Sequence, residues 1–156
     1  MRAVVLAAAV AFGWSCYAVE STTVAEVPAA ILAAIKAKAA ADHPNDFSTQ
    51  AYVVKTQTQA YVELQALSDD AVPAETAARI RGKAAEDHEG NYATQVYVVR
   101  KQIGAFKKLA AFKPEGVPDK VLKGIQAEAA KNHPEDFATQ VYVVKKQVDG
   151  WLELNR

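Results

Sequence analysis

The large apolar residues between positions 92 and 106 fall at Tyr92, Val96, Val99, Ile103 and Phe106. Forty-five residues later they fall at Phe137, Val141, Val144, Val148 and Trp151. Steps of four, three, four and three trace one stripe along a helix; a strand would alternate every second residue. The Val96-Tyr97-Val98-Val99 core favours a strand locally. That preference costs a helix only a few tenths of a kcal/mol per residue, whereas burying one such side chain returns about 1.5–3 kcal/mol. The segment also runs about 20 residues before a turn signal, too long for an ordinary strand. The pattern therefore predicts a helix.

A second, shorter helical pattern precedes each of these. Ile31, Ile35 and Ala39 recur at helical spacing, as do Val121, Ile125 and Ala129. Each run opens at Val-Pro (Pro28, Pro73, Pro118), and proline suits the first helical position because its missing N–H has no partner there. Each run closes at His43-Pro44, His88-Glu89-Gly90 or His133-Pro134. Asp46, Asn91 and Asp136 then stand where the next helix wants an N-cap acceptor.

The whole arrangement repeats at a constant step of 45 residues without a gap, as in His43, His88 and His133, or Leu64, Leu109 and Leu154. Three units follow, 27–71, 72–116 and 117–156, joined by the polar turns 68–71 and 113–116. The predicted fold is all-α: three tandem helical hairpins in a single domain, stacked as a short right-handed α-solenoid or closed into a compact six-helix bundle. Ala37, Gly82 and Ala127, with alanines nearby such as Ala39 and Ala40, are expected to let paired helices approach closely.

The first 18 residues change the picture of where such a domain works. Arg2, an apolar run from Ala3 to Trp14 and the small residues before Ala18 have the grammar of a secretory signal peptide cut after Ala18. The run is shorter than the roughly 20 residues that span a bilayer. The expectation is an exported periplasmic or secreted protein with no transmembrane segment in its mature chain and a flexible tail over 19–26. Acylation at Cys16 is the weaker alternative, since Gly13 stands where a lipobox wants leucine. The cut removes Cys16, the single cysteine, so packing and not disulfides must hold the fold. It also removes one of 18 basic residues and leaves 17 against 18 acidic. That balance argues against a nucleic-acid partner, which calls for basic excess.

Four sets of residues invite a chemical reading. The histidines are spaced as stacked units would space them, about 8–10 Å apart. That is too far to share a zinc ion bound at roughly 2.0–2.1 Å. A turn role is expected instead, with the ring on the last carbonyls of the first helix and Asp42, Asp87 or Asn132 orienting it. Gln50, Gln95 and Gln140 form one amide row, and Gln57, Gln102 and Gln147 a second. Free amide rows suit the backbone of an extended peptide, and bonded ones merely hold the fold. Tyr52, Tyr97 and Tyr142 are expected to pack between units; if exposed in a line, they suit a glycan. Lys55, Arg100, Lys101, Lys145 and Lys146 nearby read as a solvated face with weak anion attraction.

No catalytic motif appears, and no cofactor or metal is expected. The reading is a non-catalytic module for an unidentified protein or peptide partner. The alternative is a binder of cell-envelope glycan or a small ligand through the tyrosine row.

Overall fold

A computed structural model describes residues 26–156. The expected leader, its cut, Cys16 and nearly all of the tail lie outside the described residues. Six helices follow in order: α1 (Ala29–Asp42), α2 (Phe47–Ala66), α3 (Ala74–Asp87), α4 (Tyr92–Ala111), α5 (Asp119–Asn132) and α6 (Phe137–Leu154). No strand occurs among the described residues. The fold is all-α, and corresponding helices start 45 residues apart, as the periodicity predicts.

Each short helix packs on the long helix that follows it, α1 on α2, α3 on α4 and α5 on α6. The long helices also pack side by side, α2 on α4 and α4 on α6. Neither hairpin end meets the other, so the array is a linear stack and not a closed ring of helices. Successive long helices are not flush. Gln57 meets Ala93, 36 residues on, where a flush stack would bring Gln102 beside it. Tyr61 likewise meets Tyr92, 31 residues on, and Glu63 meets Arg100, 37 residues on, so the C-terminal half of one long helix lies against the N-terminal half of the next.

Two apolar clusters result. Val72, Ile80, Ala84, Val99 and Ile103 form one, with Leu64, Leu67, Phe106 and Phe137 packed against it. Ala129, Val144 and Val148 form the other, covered by Leu109, Phe112, Leu122 and Ile125. Leu64 and Leu109 therefore each belong to the core of the next unit. The first unit is thinner, with only Ile35 and Ala39 buried in α1 and Ala60 in α2. Edge-to-face ring pairs mark both joints, Tyr61 on Tyr92 at 5.1 Å and Phe106 on Phe137 at 5.3 Å.

Two local expectations need correction, and one column adds a feature of its own. The prolines stand one residue before the first helical position, extended at ψ 137–140°, and their carbonyls accept the first helical N–H groups. Ala37, Gly82 and Ala127 are exposed; the close approach is made by Ala39, Ala84 and Ala129, which are fully buried. Finally, the column Asn45, Gly90 and Glu135 is left-handed, at φ 64°, 70° and 66°. The tight link between the helices of each hairpin requires this conformation. Glycine adopts it without strain, asparagine tolerates it and glutamate resists it.

Candidate functional site

The glutamines are engaged in holding the fold. Gln50, Gln95 and Gln140 each donate Nε2–H to the backbone carbonyl of the histidine seven residues earlier, at 2.6–2.7 Å. Gln95 and Gln140 are buried. The same carbonyls accept the N–H groups of Asp46, Asn91 and Asp136, so each histidine oxygen closes its hairpin twice. The second row works between units. Gln57 donates to Asn91 Oδ1 at 3.2 Å and accepts the Ala93 N–H at 3.2 Å. Gln102 does the same to Asp136 Oδ1 and the Ala138 N–H, both at 3.1 Å. These amides are occupied by backbone and caps, which leaves no continuous row for a peptide. Gln147, in the last described unit, is exposed.

The histidines also act through their backbone. His43, His88 and His133 donate N–H to Ala39, Ala84 and Ala129, ending the short helices. The residues before them do not orient the rings: Asp42 pairs with Lys38 and Asp87 with Lys83, while Asn132 donates to Glu128. Among the described residues, no three His, Cys, Asp or Glu side chains gather as metal ligands would.

The long helices start from side-chain caps. Asp46, Asn91 and Asp136 accept the N–H of Thr49, Thr94 and Thr139 at 3.0–3.1 Å. The Thr49 hydroxyl and N–H hold the Asp46 carboxyl below its ordinary value. Burial pushes the Asp136 carboxyl up, but hydrogen bonds from Thr139 and Gln102 outweigh it and leave the group lowered. Lowered acids at helix starts are structural here, since the dipole and the caps both favour the anion.

The tyrosines depart from expectation. Tyr52, Tyr97 and Tyr142 are 70%, 64% and 65% exposed and do not pack between units. On α4, Tyr97 lies about 160° round the helix from the buried Val99. The stripe that faces the neighbouring units is built instead by the ring pairs and leucines, so these columns are free to point outward. Lys55, Arg100 and Lys145 stand three residues on, and Lys101 and Lys146 four residues on, which puts a cation on the same side of the helix as each tyrosine. Arg100 reaches back to Glu63 at 2.7 Å. Lys55, Lys101, Lys145 and Lys146 make no ion pair among the described residues. Each long helix carries one of these exposed rings, and none of the three stacks on another ring among the described residues. The row is thus an open ladder and not a pocket.

Two features escaped the sequence reading. Phe47 and Leu154 are 75% and 86% exposed at opposite ends of the stack. Their positions in the repeat, first and last in the long helices, carried the signal. The clefts among the described residues are open, and no described helix is long and apolar enough to cross a membrane. The chain matches no family model, no curated protein and no solved structure.

Proposed function

We propose that the chain is a non-catalytic binding module whose tyrosine ladder holds an elongated, anionic glycan. The exposure of three equivalent tyrosines beside unpaired lysines carries this reading. A tyrosine offers a flat apolar face and a polar tip, which suits a sugar ring. One ring spans one rung, so a single sugar gains only one weak contact. A chain long enough to reach from one long helix to the next gains a second contact at high effective concentration. Lys101 and Lys146 favour carboxylate-bearing chains. The leader read in residues 1–18 supports a working place outside the cytoplasm, where envelope glycans lie.

The second reading is an acidic, extended protein segment on the same face. The recurrence of tyrosine with Arg100 favours it, since both residue types are enriched where proteins meet. Titration calorimetry with acidic and neutral oligosaccharides and with an acidic peptide separates the two. Binding of the acidic oligosaccharide, lost in the triple variant Tyr52→Ala, Tyr97→Ala, Tyr142→Ala, is the expected result. Binding of the peptide alone moves the assignment to a protein partner. Glycan binding that survives the triple variant removes the ladder from the site.

A further inference from the structure

The two ends of the stack carry the two halves of a joint that is made twice inside it. Each internal joint has three parts. An amide bonds the next unit's cap residue and second helical N–H. A ring meets the first ring of the next long helix edge-on. A leucine, Leu64 or Leu109, enters the next unit's core.

At the C-terminal end the same register positions are Gln147, Trp151 and Leu154, with Gln147 and Leu154 exposed. At the N-terminal end the receiving positions are Asp46, Phe47 and Ser48, with Phe47 open to solvent. Beside Phe47 lies an apolar groove of about 780 Å³ lined by Leu32, Ala40 and Val54. Two repeats on, these columns are Leu122, Ala130 and Val144, within the surface that receives Phe106 and Leu109 in the internal joint.

We infer that a second copy of this chain docks head to tail, Trp151 and Leu154 of one copy entering the Phe47 groove of the next. Gln147 then bonds Asp46 and the Ser48 N–H across the joint. Charge fits as well. The first joint pairs Glu63 with Arg100. The second sets two lysines, Lys108 and Lys145, in those columns and gains no pair there, whereas the proposed joint brings Glu153 to Lys55 and so matches the first. Lys36 stands in the column of Gln126, whose amide reaches the Leu109 carbonyl at 3.5 Å. There it faces the carbonyl end of the incoming α6, where a cation is favoured. Terminal repeats of stable solenoids present polar outer faces; here Phe47, beside its groove, and Leu154 interrupt that cover. A head-to-tail contact that does not close grows into an open assembly.

Sedimentation velocity of the purified chain, its N-terminus fixed by intact mass, tests the joint. Mass is expected to rise with concentration. Phe47→Glu and Leu154→Glu, both at exposed positions, should each remain monomeric with unchanged far-UV circular dichroism. Mixed in equal amounts, they retain one sound end each and should form a heterodimer that grows no further. Lys55→Glu and Glu153→Lys should each weaken association several-fold and restore it when combined. A wild type that stays monomeric overturns the inference and points to the segment before α1 as the groove's occupant. Self-association of either single glutamate variant, or no association on mixing, overturns it also.

Discussion

At the residue scale, the glutamine rows show how one side-chain type serves two different bonds. Gln95 is buried with its amide on the His88 carbonyl. Gln95→Ala should cost about 1–3 kcal/mol in denaturant unfolding, because it opens a buried polar bond. Gln147→Ala, measured in dilute monomer, should stay within about 0.5 kcal/mol of wild type. The caps supply the pH dependence. Asp46 and Asp136 have lowered folded-state values, so their contribution is fully present above the ordinary 3.8. It is lost as pH falls below that through the folded values. The middle cap, Asn91, does not titrate. Hydrogen exchange at acid pH should therefore show α2 and α6 starts loosening before the α4 start, and Asp136→Asn should flatten the acid limb of stability. The 45-residue step made the glutamine columns legible in the sequence. Their bonds were not, because a period cannot tell a carbonyl in the same hairpin from a cap in the next.

At the element scale, the links between paired helices carry the strain. Asn45, Gly90 and Glu135 share one left-handed position. Glu135→Gly should stabilise the chain by roughly 0.5–1 kcal/mol, after loss of an exposed ion pair with Arg79 at 3.6 Å. Gly90→Ala should destabilise by about 1 kcal/mol, and no crowding contributes, since an added methyl meets nothing within 4 Å. Thermal melts of the two variants check the opposite signs. The helices themselves were readable from the four-three spacing, down to the stripe Val96, Val99 and Ile103. The tyrosine face was not legible, because the repeat alone does not say which large residues fill the space between units. The joint is instead filled by Phe106, Phe137 and Leu109, already present in the main stripe.

At the scale of the whole molecule, burial is uneven. The middle unit buries Val72, Thr76, Ile80, Ala84 and most of one face of α4, whereas α1 buries two residues. Since a stack of repeats is a sum of units and joints, the middle hairpin, flanked on both sides, should be the last to open. Native-state hydrogen exchange is expected to rank α3 and α4 as most protected and α1 as least. The sequence left open whether the three hairpins form a line or a ring. That choice depends on the offset and turn of each hairpin against the next, a geometric quantity that no residue column encodes by itself.

That offset is the same kind of step at both joints, and it makes chain length a matter of counting. A tandem duplication of residues 72–116 would set Gln102 against a new Asn91 and Phe106 against a new Tyr92, both partners the protein already uses. Growth by whole modules therefore reuses the same kinds of bond with one new ring pair, and each added module would lengthen the array by one further exposed tyrosine.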